Sequence, residues 1–166
     1  ASSSASVNIN MVAPGSGAVR WPVASFHSDW AINGFRTSTR PNHNGLDMLN
    51  SGGTPIFAAA DGVVRAAQDG LGGYGNAVVI DSVIGGQVVT TLYAHKMWGS
   101  RTVEAGQTVS AGQMIGLMGQ TGSATTTHLH FEVRVGGALV DPMAWLQANA
   151  GQPDTDDANA KRTAAA

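Results

Sequence analysis

The sequence contains no cysteine, few charged side chains and no long apolar run. The lack of cysteine excludes a disulfide framework, a thiolate zinc site, an iron–sulfur cluster and a cysteine nucleophile. Charged residues make up only 12% of the chain and the net charge is −2, so no basic surface for nucleic acid is expected. No apolar run approaches the roughly 20 residues of a membrane helix, and no membrane span is predicted.

Glycine, in contrast, is abundant, with 22 of 166 residues, about twice the usual share. Short β-branched and apolar runs recur between glycines over residues 55–140, and this rhythm predicts an all-β sandwich or sheet. One short helix is expected over residues 142–149, because Asp141 can cap it, Pro142 suits its first turn and Gly151 follows its end.

The length predicts one domain, which we place at residues 19–151. Residues 1–18 are rich in Ser, Asn, Ala and Gly and are expected to form an extended lead-in. Residues 152–166 have little apolar content and are expected to form a disordered tail. The first residues lack an initiating Met and a signal-type apolar core, which indicates a processed form or a segment of a longer protein.

Residues 70–75 match the G-x-G-x-x-G pattern of dinucleotide-binding proteins. That pattern requires a helix after the glycines, whereas residues 76–80 are a strand-like apolar run. A glycine turn is therefore the favoured interpretation. Farther along, the sequence V-E-A-G-Q at 103–107 is echoed at 109–113, which predicts two Gly-Gln turns at the ends of one very short strand.

The histidines carry the strongest chemical signal. Polar and apolar residues alternate strictly over 128–135, so a strand there places His128, His130 and Glu132 on one face and a core on the other. Two imidazoles so close together can both bind a metal, or one can bind it while the other reaches a water molecule. The alternative is that they form only the polar outer face of a sheet.

His43 and Asp47 are four residues apart and form a second candidate pair. Imidazole and carboxylate together are a normal ligand mixture for Zn²⁺, although this spacing also arises by chance or in a local hydrogen-bonded pair. Combined with the His128-x-His130 pair, they make a site with three protein ligands and the open fourth position of catalytic zinc. His95 ends an apolar run and alone indicates a capped or core-edge histidine, while His27 has no partner spacing and is expected in a surface loop.

The chain resembles the lysostaphin-type, LytM-like zinc metallopeptidases, which are peptidoglycan endopeptidases. Besides the two histidine motifs, the resemblance rests on Gly53-Thr54-Pro55-Ile56, Ala58-Ala59-Ala60-Asp61-Gly62-Val63-Val64, Gly73-Tyr74-Gly75-Asn76, Tyr93-Ala94-His95, Val109-x-x-Gly112-Gln113-x-Ile115-Gly116 and Asp141-Pro142. It implies a mainly antiparallel sheet of the duplicated-hybrid-motif type with a peptide-binding groove. It also implies one Zn²⁺ held by His43, Asp47 and His130, with His95 and His128 as the catalytic pair.

Two segments depart from the family pattern. The stretch 29–39 is longer than usual, and Thr125-Thr126-Thr127 replaces the usual Gly-Pro or similar pair before the histidine strand. We expect both segments to rim the groove, where they affect the choice of substrate rather than the metal.

Within the catalytic pair, a neutral imidazole can take a proton from water, and an imidazolium can stabilise the oxyanion or protonate the leaving amine. We favour His128 as the base because it lies beside the ligand His130, with His95 in the other role. Many zinc peptidases use a glutamate instead, so Glu132 is the alternative base; one pleat farther along, it is better placed to support a ligand.

Two rival functions come from other classes. A non-enzymatic LytM-like relative would activate other wall hydrolases, but such proteins are expected to lack metal ligands. A phosphocarrier domain of the glucose-permease type would use two close histidines and leave His43 and Asp47 without a role. The resemblance therefore implies a zinc endopeptidase whose partner is a peptidoglycan peptide, and we expect it to be monomeric and extracellular or associated with the cell wall.

Overall fold

The computed structural model describes residues 18–151, which form nine strands, two α-helices and one short 3₁₀ helix. The elements are α1 (Trp30–Asn33), β1 (Leu46–Leu49), β2 (Pro55–Phe57), β3 (Gly62–Gln68), β4 (Asn76–Ile84), β5 (Gln87–Lys96), β6 (Thr108–Val109), β7 (Met114–Leu117), β8 (His128–Val135), β9 (Ala138–Val140) and α2 (Pro142–Ala150). The predicted lead-in, apart from Ala18, and the predicted tail lie outside the described residues.

Seven of the strands form one antiparallel sheet in the order β1-β8-β5-β4-β3-β6, with β9 also paired to β8. Strands β2 and β7 form a separate antiparallel pair. The predicted fold class, a mainly antiparallel all-β domain with one short C-terminal helix, is confirmed. No helix within residues 18–151 is long and apolar enough to cross a membrane.

The alternation predicted for residues 128–135 determines which side of the sheet becomes core. Leu129, Phe131 and Val133 of β8 are fully buried, and Phe131 packs against Tyr93 of β5 with ring centroids 5.3 Å apart. His128 and His130 project to the opposite side, where they line a groove rather than a freely solvated surface. One face of β8 therefore packs in the core, and the other face lines the groove.

Helix α2 ends the described chain as the sequence predicts. Asp141 caps it by accepting a hydrogen bond from the Met143 backbone N–H at 2.9 Å, and Gly151 follows the last turn. Leu146 and Met143 are buried on its inner side. The four-residue helix α1 was not predicted, because one turn is too short to show the 3.6-residue period.

The glycine-rich motif forms a turn that contains a 3₁₀ helix at Gly72–Tyr74 and leads directly into β4. The glycine-turn interpretation is therefore confirmed. Gly75 adopts φ +67°, and a Cβ there would lie 2.4 Å from the Thr121 backbone, so this turn packs tightly against the segment before β8. The two predicted Gly-Gln turns also form, at residues 104–107 and 110–113, and the two-residue strand β6 lies between them.

Candidate metal and catalytic site

A groove of about 990 Å³ runs across the polar side of β1 and β8. Several residues between 29 and 44 and all of residues 123–126 contribute to its walls. The two segments that depart from the family pattern therefore lie at this groove, as the sequence predicts. His27 is exposed, as expected, but it also pairs with Leu49 of β1 and lines the groove.

The antiparallel pairing of β1 with β8 sets Asp47 directly opposite His130. Side chains opposite each other on one sheet face lie about 5 Å apart at Cβ, and here Asp47 Oδ1 is 2.9 Å from His130 Nδ1. His43, in the loop before β1, brings its Nε2 to 3.2 Å from the same oxygen. One ligand atom from each of the three residues lies within 4.8 Å of the others.

This donor set fits a zinc ion. His43 Nε2 is buried and has no hydrogen-bond partner among the described residues, and such a buried polar atom is costly unless a ligand satisfies it. Two imidazoles and one carboxylate are ligands that Zn²⁺ prefers. Asp47 offers only Oδ1 to the centre, because Oδ2 accepts a hydrogen bond from Arg40 Nη1 at 3.0 Å. Sequence reasoning missed Arg40, which has no motif of its own.

The electrostatics of the cluster keep Asp47 ionised. Burial alone would raise the pKa of its carboxyl group, but the hydrogen bond from His130 and the close contact with the His43 ring hold that pKa well below its usual range. For His130, burial lowers the pKa, yet hydrogen bonds to Asp47 and Glu132 outweigh it and raise the pKa to about 9. Nδ1 of His130 faces the other two candidate ligand atoms, so a cation held there would replace the proton on this nitrogen.

His95 reaches the groove through an irregularity in β5. Strict alternation would place His95 on the core face with Tyr93. However, Asn76 of β4 pairs with Lys96 and Val78 pairs with Tyr93, so β5 contains one extra residue at this point. His95 adopts φ +62°, a left-handed conformation that is strained for a non-glycine residue. The bulge redirects the imidazole, and buried Lys96 supports it by donating from Nζ to the Tyr93 carbonyl at 2.6 Å.

Backbone carbonyls fix the orientation of the two remaining imidazoles. His95 Nδ1 donates to the Thr121 carbonyl at 2.7 Å, and His128 Nδ1 donates to the Thr126 carbonyl at 2.8 Å. A carbonyl only accepts, so in each neutral ring Nε2 carries the free lone pair. The two rings lie 4.9 Å apart, and His128 Nε2 is 3.6 Å from Asp47 Oδ1.

Burial keeps both of these rings neutral near pH 7. It lowers the pKa of His95 to about 4, and it also lowers the pKa of His128. A neutral imidazole whose Nε2 is unprotonated is a proton acceptor. The structure thus brings together all five residues that the sequence analysis selected, with two proton-accepting rings beside the three ligand atoms.

Glu132 lies behind His130 rather than facing the ligand set. Its Oε2 accepts hydrogen bonds from His130 Nε2 at 2.9 Å and from the Tyr74 hydroxyl at 2.8 Å. Burial raises the pKa of Glu132, but the hydrogen bonds from these two donors lower it by more. The net pKa lies below its usual value, and the carboxylate is ionised. A carboxylate that holds the outer nitrogen of a ligand histidine orients the ring and strengthens it as a ligand.

Tyr74 completes this support; the sequence analysis used its segment as a glycine turn and as part of the family resemblance but gave Tyr74 no role in the site. Its ring stacks on His130 with centroids 5.9 Å apart and an interplanar angle of 26°. Burial and the neighbouring Glu132 raise the pKa of Tyr74 to about 12, so its hydroxyl remains a donor. The position of Tyr74 within the G-Y-G segment was the available signal.

We expect Glu132→Gln to retain zinc and most of its activity. The Gln carbonyl oxygen can still accept the hydrogen bond from His130, so zinc affinity should fall by less than the roughly 10- to 100-fold typical for losing an outer-shell partner. Glu132→Leu, which removes the acceptor, should show the larger loss. Zinc competition with a chelator and wall-lysis rates measure both. A Gln variant that holds zinc but is inactive would identify Glu132 as the base.

Residues 41–142 match the sequence profile of Peptidase family M23. A DD-carboxypeptidase/endopeptidase Mpg of Neisseria meningitidis serogroup B is 43% identical over 102 residues, covering 61% of this chain and 22% of the relative. A Murein hydrolase activator NlpD of Escherichia coli K12 is 38% identical over 127 residues, covering 76% of this chain and 31% of the relative. The chain thus spans less than a third of the length of either curated relative.

Solved structures with the same fold include the catalytic domain of the antimicrobial peptidase lysostaphin from Staphylococcus simulans. It superposes with a TM-score of 0.53 at 33% identity, covering 63% of this chain and 79% of that one. A zinc-containing peptidase from Vibrio cholerae superposes with a TM-score of 0.57 at 29% identity, covering 74% of this chain and 39% of that one.

Proposed function

The chain belongs to peptidase family M23, and on this basis we propose that it is a zinc-dependent endopeptidase that hydrolyses peptide bonds in bacterial peptidoglycan. One observation carries the proposal: three ligand residues and two additional neutral imidazoles converge in a single groove. The bond cleaved lies in the stem peptide or in the cross-bridge.

His43, Asp47 and His130 would hold the ion, and Zn²⁺ supplies Lewis-acid chemistry that acidifies water and polarises a carbonyl. His128 Nε2 accepts the proton of the attacking water, since its strand position places it beside the ligand set. His95, on the neighbouring strand, takes up a proton from solvent in the groove at Nε2 and donates it to the oxyanion or to the leaving amine. His128 then returns to solvent the proton that it took from water, so the protons balance. The carbonyls of Thr126 and Thr121 hold the two rings in the orientation that these roles require.

The alternative is a non-enzymatic activator of other wall hydrolases, because one of the relatives is named a murein hydrolase activator. An activator has no need for two oriented imidazoles beside a complete ligand set, so the geometry favours the enzyme. A phosphocarrier would leave His43 and Asp47 without a function. As an endopeptidase of peptidoglycan, the protein would act outside the cell or at the cell wall, and we propose that it does so as a monomer.

Metal removal tests the proposal directly. The purified protein should contain one zinc per chain, and it should lose wall lysis on exhaustive chelation and regain it when zinc is added back. Zinc is measured by elemental mass spectrometry, and digests of peptidoglycans with different cross-bridges identify the cleaved bond. Full hydrolysis with zinc verified as absent would contradict the metallopeptidase. Lysis that occurs only when another wall hydrolase is added would favour the activator.

A further inference from the structure

Arg40 is the only arginine or lysine among the residues that line the groove within the described chain. Its guanidinium is held at one nitrogen: Nη1 donates to Asp47 Oδ2 at 3.0 Å and to the Ile32 carbonyl at 3.2 Å. These bonds anchor the side chain to both a metal ligand and helix α1 of the groove wall. The cation is therefore fixed in place before any substrate arrives.

The opposite edge of the same guanidinium remains available. Within residues 18–151, Nε and Nη2 of Arg40 have no hydrogen-bond partner, and 42% of the side chain is exposed. The Nε–Nη2 edge presents two parallel N–H groups, the arrangement that pairs with a carboxylate through two hydrogen bonds. The structure thus contains a preoriented cationic fork at the rim of the site.

Two carboxylates of the groove, Asp47 and Glu132, already have other partners. Asp47 is committed to His43, His130 and Arg40 Nη1, and Glu132 to His130 and Tyr74. Asp29 accepts a hydrogen bond from the Ala31 backbone N–H at the start of α1. Within residues 18–151, the hydrogen bonds and the ion pair of the Arg40 side chain all use Nη1, so the Nε–Nη2 edge is open to a carboxylate of a substrate that enters the groove.

We propose that Arg40 binds a free carboxylate of the substrate peptide and selects acidic stem peptides over uncharged glycine cross-bridges. This inference rests on the proposed function. Asp47 joins Arg40 to the metal-facing oxygen, so the carboxylate lies within about two residues of the scissile bond, roughly 7 Å of extended chain. Stem peptides carry side-chain and terminal carboxylates, whereas a glycine cross-bridge has none along its length.

The test uses soluble stem peptides and intact peptidoglycan, each native or with carboxyl groups converted to amides by carbodiimide and ammonia. Calorimetry measures equilibrium binding of the peptides to the zinc-loaded protein, and fragment release measures hydrolysis of the peptidoglycan. We expect the native forms to be favoured roughly 10- to 100-fold, the usual effect of losing a charge-assisted hydrogen-bonded pair.

Arg40→Gln should reduce this preference to near unity, and Arg40→Lys should retain only part of it, since an ammonium lacks the fork. Arg20→Gln, an exposed site outside the groove lining, is the matched control and should keep the full preference. Zinc content is measured for every variant. Reduced metal loading lowers the binding and hydrolysis of native and amidated substrates by the same factor. The ratio of the native to the amidated value therefore reports the carboxylate contact alone.

Equal binding of native and amidated peptides by the unmodified protein would overturn the inference, as would no binding of the native peptide. Persistence of the preference in Arg40→Gln would also overturn it. A binding preference that disappears in Arg40→Gln, without any hydrolysis by the unmodified protein, would support the carboxylate site and contradict the proposed enzyme. The two proposals therefore fail in distinguishable ways.

Discussion

His130→Ala is expected to lose stoichiometric zinc and, with it, all measurable wall hydrolysis. In the proposed site this residue supplies one of three protein ligands, and its ring is held between Asp47 and Glu132. Removing it leaves only His43 and Asp47, and two ligands are too few for a stable zinc site. Elemental analysis after dialysis and lysis rates on purified peptidoglycan provide the two measurements.

Three controls separate the loss of a zinc ligand from a general effect on the groove or on folding. His27→Ala removes a histidine that lines the same groove but lies outside the ligand group, and it should keep one zinc per chain. Circular dichroism and thermal unfolding should show that His130→Ala still folds, since the buried core residues Leu129 and Phe131 are unchanged. If folded His130→Ala retained full zinc occupancy, the ligand assignment would be wrong.

Much of the fold was accessible from the sequence because its strongest signals are local. Strict alternation over 128–135 predicted β8, and the Asp141 cap followed by Pro142 predicted α2. The M23 resemblance read from the motifs is also confirmed. These features depend on side-chain period and capping chemistry, which short stretches of sequence contain directly.

The orientation of His95 could not be predicted in this way. Alternation places it with Tyr93 in the core, and only the extra residue opposite Asn76–Val78, together with φ +62°, turns it into the groove. A bulge depends on the pairing of two strands, and neither strand shows it alone. The sequence suggested only a histidine at the end of a strand, and the family resemblance supplied its role.

The supporting contacts were missed for a related reason. Tyr74 and Arg40 reach Glu132 and Asp47 across 58 and 7 residues of sequence, respectively. No periodic pattern links either pair, and both contacts form only when the sheet and the groove wall are assembled. Single-sequence reasoning therefore identified the ligand and catalytic candidates but not the residues that hold them.

His128→Ala is expected to separate proton transfer from metal binding. His128 lies two residues from His130 on the same strand face but outside the ligand group. Its loss should leave one zinc per chain and a normal thermal transition, while the rate falls roughly 10²- to 10⁴-fold, the usual contribution of general acid–base catalysis. Elemental analysis, thermal unfolding and lysis rates on the same preparation decide the result.

His95→Ala should behave in the same way, because its ring lies 4.9 Å from that of His128 and also outside the ligand group. If the two rings act on the same reacting group, the double variant should lose less than the product of the two single losses, since residues that act as a unit are not additive. A His128→Ala protein without zinc, beside a His130→Ala protein that keeps it, would reverse the assignment of ligand and base. Full activity in His128→Ala would remove it from the reaction and leave His95 as the remaining imidazole base.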